Sequence, residues 1–195
     1  KQFKYNKIAT AHIANDNTET VLLNLIKGTG LKGISGIPVV RGKIIRPLLG
    51  LSKDEIISYL NYNKILFRTD KSNFENKYER NFIRNELIPR IKNKLNPNLD
   101  LAVLRSSQVF RNYSGLVEER LKKLNKFVSI KPNSISVNLS DINKIDKRLS
   151  GDFFINQIQK KFGIQLSYSD TLSIQKLIDG EISKQLNLSE NLRVT

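Results

Sequence analysis

The sequence contains no cysteine and only one histidine, His12. Without cysteine the chain cannot build a disulfide framework, a thiolate nucleophile, an iron–sulfur cluster or a cysteine-based zinc site. A lone histidine is more often a structural residue than a ligand. Thiol chemistry and cysteine-held metal centres are therefore excluded for this chain.

Long hydrophobic runs are also missing. No stretch approaches the roughly 20 apolar residues that a membrane-spanning helix needs, and the first residues lack the apolar region of a secretory signal. With 195 residues and 39% hydrophobic content, the chain can form one large or two small globular domains. We expect a soluble, cytoplasmic protein that does not bind membranes.

Acidic residues are outnumbered by basic ones. The chain carries 33 Lys and Arg against 18 Asp and Glu, a formal net charge of +15, and the excess spans both halves. Such a charge favours a polyanionic partner, because each neutralised phosphate releases counterions. The alternative is a lysine-rich composition that only keeps the surface solvated. Nucleic acid is the favoured partner.

One stretch near the start combines a strand with the beginning of a helix. Lys7 to Ala11 has the pattern of a short strand, and residues 17–27 have apolar side chains at helical spacing. Unpaired backbone donors, His12 and the carboxylates of Asp16 and Glu19 would meet at this junction. The junction is therefore a candidate site for a charged ligand.

The same two carboxylates have a plainer interpretation. Asp16-x-x-Glu19 is also a capping pattern, in which two acids satisfy the free amide donors of a helix start. From the spacing alone, the cap is the more common outcome.

A loop and a second strand follow. Four glycines break regular structure between Lys27 and Pro38, which predicts a connector or a mobile lid. Lys43 to Ile45 is a predicted strand, and Pro47 ends it. Arg46 then lies at the carboxyl end of the strand, where it could contact a phosphate group. A surface salt bridge is the alternative role for this arginine.

The next segment predicts a capped helix, a strand and a basic helix. Ser52 opens a helix with a capping box, and residues 64–67 could form a strand. A helix from about residue 77 to residue 88 would place basic and polar side chains on one side. These side chains are Lys77, Arg80, Asn81 and Arg84. Two arginines four residues apart, with little screening by acids, suit phosphates or a base edge. Pairing with Glu79, Glu86 or an acid elsewhere is the alternative.

The second half predicts a long helix and a small, mainly helical unit. Pro89 should kink or end the basic helix, and residues 99–125 should form a long helix. Hairpins are predicted at 127–139 and 184–194, with helices at 141–162 and 169–179 between them. We therefore expect a catalytic region at 1–98, a linker helix at 99–125 and a small domain at 126–195.

Three motifs together resemble the tRNA(Ile)-lysidine synthase family. Residues 11–20, A-H-I-A-N-D-N-T-E-T, are similar to the family's A-H-H-x-D-D-Q-x-E-T. I-R-P-L-L at 45–49 resembles a second family motif, and residues 70–84 resemble its D-x-S-N and Y-x-R-N-x-I-R run. Three motifs in the family's order over about ninety residues make a specific match. Weaker similarity continues to the end of the chain.

The chain also departs from the family pattern. Ile13 stands where the family usually has a second histidine, and Asn15 where it usually has the first of two acids. The family's Ser-Gly-Gly-x-Asp-Ser phosphate loop is not found in the chain. The expectation from these departures is a central and later portion of a longer protein, inactive alone because the phosphate loop is lacking.

The resemblance implies a partial Rossmann-like parallel sheet of the ATP-pyrophosphatase type and an ATP-dependent carbon–nitrogen ligase. Such an enzyme adenylates the wobble cytidine of tRNA(Ile) with a CAU anticodon and attaches free lysine, with ATP and Mg²⁺ as cofactors. His12, Asp16 and Glu19 become the candidate catalytic residues, with no metal ligands assigned.

The resemblance also implies ligand contacts for the basic residues. It assigns tRNA contacts to Arg80 and Arg84 together with Lys77 and Asn81, and contact with ATP or tRNA phosphates to Arg46. Whether the protein forms a homodimer is open.

Two alternatives remain at this point. One is a noncatalytic, basic RNA-binding fragment. The other is a different tRNA-modifying ATP pyrophosphatase, which the absence of cysteine disfavours because related enzymes that put sulfur into tRNA generally use cysteines.

Overall fold

A computed structural model of the chain describes residues 4–68, 79–142, 145–164, 166–180, 185–189 and 192–194. The chain divides into two compact units, Lys1–Gly115 and Leu116–Thr195. The boundary falls inside the long helix that the sequence predicts. The division into three regions at residues 98 and 125 stays a prediction.

The first unit mixes short strands with helices. Its elements are β1 (Ile8–Ala9), α1 (Ala14–Ile26), α2 (Leu31–Ile34), β2 (Val40–Arg41), β3 (Ile44–Ile45), α3 (Lys53–Tyr62), α4 (Glu79–Phe82), a π-helical turn (Ile83–Leu87), α5 (Ile88–Lys94) and the start of α6 (Leu99–Leu124). β1 pairs in parallel with β3, and β3 pairs antiparallel with β2. The predicted mixed α/β class, with a partly parallel sheet and a long helix, is confirmed.

Helix α1 starts three residues earlier than the sequence pattern predicts. Ile13 has an extended backbone, with φ −122° and ψ 176°, and its N–H donates to Asp16 Oδ2 over 2.9 Å. Asp16, in the first turn of α1, therefore satisfies the backbone N–H of Ile13, which precedes the helix. The expected cap, with Glu19 three residues after Asp16, is wrong because Glu19 binds elsewhere.

Residues 28–38 and 64–67 both differ from their predicted structures. The expected loop contains helix α2. The expected strand at 64–67 is absent from the described structure, because Lys64 adopts a left-handed conformation (φ 55°) that ends α3. The N–H groups of Lys64 and Ile65 donate to Asn61 and Leu60, at 3.1 and 2.9 Å. These two bonds form a Schellman turn, which uses the first residues of the expected strand.

The basic helix continues past the proline that should end it. The π turn Ile83–Leu87 follows α4, and α5 begins directly after it at Ile88. Pro89 lies in the first turn of α5, where a proline fits because its missing N–H is least needed. The prediction that the helix ends at Pro89 is therefore wrong for the described residues, and a kink at Pro89 stays a prediction.

The second unit is mainly helical and has apolar cores. Its elements are the rest of α6, a 3₁₀ turn (Asn125–Phe127), β4 (Val128–Lys131), β5 (Ser134–Val137), α7 (Leu139–Ile142), α8 (Lys147–Phe162), α9 (Tyr168–Ile178), β6 (Leu186–Ser189) and β7 (Leu192–Val194). β4 and β5 form an antiparallel hairpin, as do β6 and β7. Both predicted hairpins are confirmed.

The helix predicted over residues 141–162 is broken before α8. Asp146 caps the new helix: its carboxylate accepts a 3.0 Å bond from the Arg148 N–H and further bonds from the Arg148 guanidinium. The side-chain bonds from Arg148 lower the pKa of Asp146 to about 2.

No helix among the described residues is long and apolar enough to cross a membrane.

Candidate functional site

The parallel pairing of β1 and β3 brings two predicted site residues to one edge of the sheet. The register pairs Ala9 with Ile45, and the Thr10 N–H donates to the Ile45 carbonyl at 2.9 Å. Parallel strands end at the same edge, so the backbone of His12 and of Arg46 leaves the sheet there. The His12 Nδ1 lies 2.9 Å from the Thr10 hydroxyl oxygen.

Arg46 makes a structural contact in this position. Its guanidinium donates to the Pro38 carbonyl at 2.8 Å, while its buried Nε has no hydrogen-bond partner in the described structure. Within the described part of the chain, Arg46 forms no salt bridge with an acid. Its contact with ATP or tRNA phosphate stays a prediction.

Glu19 is the most buried acid of the predicted site. Its side chain is 3% exposed. Arg80 Nε donates to its Oε2 at 2.8 Å, and Arg84 donates from Nε to Oε1 at 2.6 Å and from a terminal nitrogen to Oε2 at 2.9 Å. Two charged donors therefore occupy both oxygens of one carboxylate, which is a strong form of hydrogen bonding.

Asp16 lies beside this pair and is more accessible. Its side chain is 22% exposed, and Oδ1 is 3.7 Å from Arg84 and 4.0 Å from Arg80. Its other oxygen accepts from the Ile13 N–H. One Asp16 oxygen therefore accepts from the backbone at the start of α1, and the other faces the two arginines.

We call Asp16, Glu19, Arg80 and Arg84 the carboxylate–arginine cluster. It contains two acids and two bases, so its formal charge is balanced. Donation of hydrogen bonds to Glu19 raises the pKa of Arg84, and burial opposes that effect. The sequence-based expectation of little screening is wrong, because the acids come from α1, with Glu19 61 and 65 residues before the two arginines.

Asn81 and Lys77 are the other two residues predicted to contact tRNA. Asn81 is partly buried on α4, and Lys77 lies outside the described residues. Arg80 and Arg84 keep 44% and 33% of their side chains exposed. Part of each side chain is therefore accessible to an anion.

Asn15 belongs to a network that motif reasoning missed. Its amide oxygen accepts from the Lys53 N–H at 2.8 Å, and its amide nitrogen donates to Asp100 Oδ2 at 2.9 Å. Lys92 forms a salt bridge with the same Asp100 oxygen. Asp100 is 4% exposed, and its Oδ1 has no hydrogen-bond partner in the described structure. The departure at position 15 was visible in the sequence, but its partner 85 residues away was not.

Asn17 makes a second, parallel set of contacts. It is fully buried; its amide oxygen accepts from the Ile37 N–H at 2.8 Å, and its nitrogen donates to the Ser107 hydroxyl at 3.1 Å. Gly36 lies directly against it: a Cβ there would be 2.2 Å from the Asn17 amide oxygen. The sequence offered one signal for this residue, because the family motif usually has glutamine at position 17.

Arg111 holds the loop at residues 35–38 from the side of α6. It donates to the Ser35 carbonyl at 3.1 Å and to the Ile37 carbonyl at 3.0 Å. Burial lowers the pKa of Arg111, since its acceptors are neutral carbonyls and its Nε is buried without a partner in the described structure. Arg111 was not singled out from the sequence, because nothing in its local pattern distinguishes it.

The described residues contain no group of three histidine, cysteine or carboxylate side chains that could hold a metal ion. The Asp16 oxygen that does not accept from Ile13 also faces two guanidinium groups, whose positive charge opposes a divalent cation more strongly than a singly charged ammonium. The chemistry of these residues suits pairing between organic ions better than metal coordination.

The PP-loop domain family matches residues 1–91 of the chain. This range contains His12, Arg46 and the complete carboxylate–arginine cluster. The expected lack of a phosphate loop receives no support from this match.

Several curated proteins are similar to the chain. The tRNA(Ile)-lysidine synthase of Clostridioides difficile (strain 630) is 32% identical over 200 residues, which covers 99% of this chain and 43% of that protein. The enzyme of Petrotoga mobilis is 31% identical, and the match covers 97% of this chain and 58% of that protein. That of Thermosipho africanus is 46% identical over 121 residues, 62% of this chain and 28% of that protein. The chain therefore spans less than two thirds of the length of each.

Proposed function

Because this chain belongs to the tRNA(Ile)-lysidine synthase family, we propose that its protein joins lysine to the wobble cytidine of an isoleucine tRNA with a CAU anticodon. In this reaction the cytosine carbonyl oxygen attacks the α-phosphate of ATP and pyrophosphate leaves. The lysine side-chain amine then bonds to the carbon that carried this oxygen. The carbon–oxygen bond breaks and AMP leaves with the oxygen, while the amine loses a proton. The protein is an ATP-dependent carbon–nitrogen ligase that acts in the cytoplasm.

The carboxylate–arginine cluster is the observation that supports this proposal most directly. It lies within the PP-loop match, and its acids are on the first turns of a helix that follows a parallel strand. It also presents charges of both signs, which a reaction between a cationic amino acid and a polyanion requires. The cluster therefore provides for both substrates in one place.

Asp16 and Glu19 have different roles in this proposal. Both Glu19 oxygens are occupied by arginines, so Glu19 positions Arg80 and Arg84. Asp16 is more exposed, and one of its oxygens lies at the longer distances of 3.7 and 4.0 Å from the arginines. Asp16 therefore holds an ammonium group of the lysine substrate.

The basic residues bind the anionic partners. Arg80 and Arg84 contact the tRNA, because 44% and 33% of their side chains are exposed beside a neutralised cluster. Lys77 and Asn81 are assigned to the same contact. Arg46, at the carboxyl end of β3, contacts phosphate. The net charge of +15 supports an affinity for tRNA that falls as salt rises.

His12 orients the reacting groups or moves a proton, since it leaves the sheet at the same edge as Arg46. ATP would supply the activating phosphate, and Mg²⁺ would accompany its phosphates. No step described here depends on that ion.

The test is incorporation of radiolabelled lysine into an isoleucine tRNA with a CAU anticodon by the full-length protein, with and without ATP. We expect ATP-dependent labelling by the wild type. Asp16→Asn should raise the KM for lysine by about tenfold or more and leave the KM for tRNA unchanged, because it removes a charge facing an ammonium. Asp54→Asn, at an exposed acid on α3, is the matched control.

Two outcomes would contradict parts of the proposal. Labelling that survives Asp16→Asn with an unchanged lysine KM would remove Asp16 from the lysine site. No labelling by the wild type, with tRNA binding intact, would instead favour a noncatalytic RNA-binding protein.

A further inference from the structure

Asn15 and Asn17 flank Asp16 and use their side chains in the same way. Each amide oxygen accepts a backbone N–H from another segment, Lys53 for Asn15 and Ile37 for Asn17. Each amide nitrogen donates to a side chain of α6. These four hydrogen bonds of the two asparagines all reach outside α1.

The two partners on α6 lie on one face of that helix. Asp100 and Ser107 are seven residues apart, which is close to two helical turns. Lys53 is the first residue of α3, and Ile37 belongs to the loop that Arg46 and Arg111 also hold. The first turn of α1 is therefore attached to α6, to the start of α3 and to the 35–38 loop.

We propose that Asn15 and Asn17 are positioning residues that set the rotation of α1 about its axis, and through it the placement of Asp16 toward lysine. This inference rests on the proposed function for its substrate. Asp16 lies between the two asparagines, so a rotation of the first turn that breaks their bonds also moves its carboxylate. Glu19, one turn later, moves with it.

The chemistry of the amide explains why an acid cannot replace Asn15 here. A carboxylate at position 15 could still accept from the Lys53 N–H, but it has no hydrogen to donate to Asp100. It would instead bring a second negative oxygen to the 2.9 Å contact with Asp100 Oδ2. The resulting repulsion in a nearly buried place would push the first turn of α1 away from α6.

A donor–acceptor exchange tests this inference. In Asn15→Asp the contact becomes repulsive, and we expect the KM for lysine to rise about tenfold while the KM for ATP stays unchanged. In Asp100→Asn the amide oxygen still accepts from Asn15, so the KM for lysine should stay within about threefold of the wild type. In the double variant the amide introduced at position 100 donates to the carboxylate introduced at position 15, and the KM for lysine should recover to within about threefold of the wild type.

Asn61→Asp is the matched control, because it makes the same chemical change at an exposed position of α3. A double variant no better than Asn15→Asp would overturn the proposal. So would an Asn15→Asp variant in which the KM values for lysine, ATP and tRNA all rise together as the melting temperature falls, since that result indicates general damage.

Hydrogen exchange at the amides of α1 separates this inference from the proposed function. We expect Asn15→Asp and, independently, Asn17→Asp to lose protection in residues 14–19, and the double variant of Asn15→Asp with Asp100→Asn to regain it. If the wild type makes no lysidine, the proposed function fails while this result still supports the positioning role. Unchanged protection in both single variants would overturn that role whatever the activity.

Discussion

The two units of the chain bury different kinds of residues. In the first unit, the buried polar and charged side chains include Asn17, Glu19, Asp100 and Ser107. In the second unit, the buried residues form two apolar clusters, one around Phe153 and the other around Ile155, Ile158 and Ile174. The buried polar residues described in that unit, Ser150 and Gln157, are neutral.

The partners of those buried polar residues differ as well. In the second unit, Ser150 donates to Gln175 at 2.5 Å, and Gln157 donates to Asn125 at 2.8 Å. In the first unit, the buried Glu19 depends on two arginines that are partly exposed. Buried ion pairs are weak sources of net stability, because desolvation opposes their attraction. The comparison therefore separates a unit whose buried residues are apolar or neutral from one that keeps buried charge.

The largest effect should come from emptying the apolar core of the second unit. Phe153 is fully buried and packs edge-to-face on Phe154. Phe153→Ala should lower the free energy of unfolding by about 3–5 kcal/mol, through lost burial and a residual cavity. Denaturant unfolding of the full-length protein measures this. A loss below about 1 kcal/mol would show that this core contributes little.

A smaller loss of stability is expected at Glu19. Glu19→Gln removes the charge that both arginines bind, and we expect about 2 kcal/mol of destabilisation in denaturant unfolding. The KM for tRNA should also rise, because Arg80 and Arg84 lose the group that orients them. The control is Glu118→Gln, at an exposed glutamate of α6. Loss of stability with all KM values unchanged would make Glu19 a purely structural acid.

The glycine at position 36 should be less tolerant than another glycine of similar conformation. Gly36 (φ 67°) lies against Asn17, whereas Gly42 (φ 60°) has open space where a Cβ would be. Gly42→Ala should cost about 1 kcal/mol from the backbone conformation alone. Gly36→Ala should cost about 1–2 kcal/mol more, because the methyl group displaces the Asn17 amide. Equal losses at the two positions, measured by denaturant unfolding, would contradict the described packing.

The smallest effect should be a shift in titration at the start of α8. The Asp146 pKa of about 2 lies below the roughly 3.9 expected for an unfolded chain. The contribution of the Asp146 carboxylate to the free energy of unfolding is therefore complete above about pH 4 and is lost as the pH falls through about 2. Carboxyl NMR should give a midpoint near 2, and Arg148→Gln should raise it. A midpoint that does not move would exclude Arg148 as the cause.

Local patterns predicted much of the fold. The capping box at Ser52 opens α3 as expected, since Glu55 lies three residues away and all the necessary atoms are local. The long helix α6 and both hairpins were predicted for the same reason, from periodicity and turn residues. The left-handed Lys64 was missed, because a lysine carries no sequence signal for that conformation.

The family was predicted from motifs and is confirmed, but the arrangement of the site was not predicted. The motifs identified Asp16, Glu19, Arg80 and Arg84 as separate candidates for two substrates. Their assembly around one buried carboxylate depends on contacts between residues 61 and 65 positions apart. Long-range partners of this kind leave no periodic pattern in a single sequence.

The π turn at Ile83–Leu87 and α5 after it give chain length a role that residue identity cannot supply. Arg84 lies in that turn and binds Glu19, while Lys92 lies beyond it and pairs with Asp100, the partner of Asn15. A π-helical turn holds one residue more than an α-helical turn of similar length. Deleting one residue from it would let an α-helical turn form there, and Lys92 would keep its orientation toward Asp100. Deleting one residue from α5 before Lys92 would instead rotate Lys92 by about 100° around the helix axis and break its pair with Asp100. A homologue with one residue fewer in the π turn therefore keeps the connection between the two ends of the network, whereas one with a residue fewer in α5 loses it.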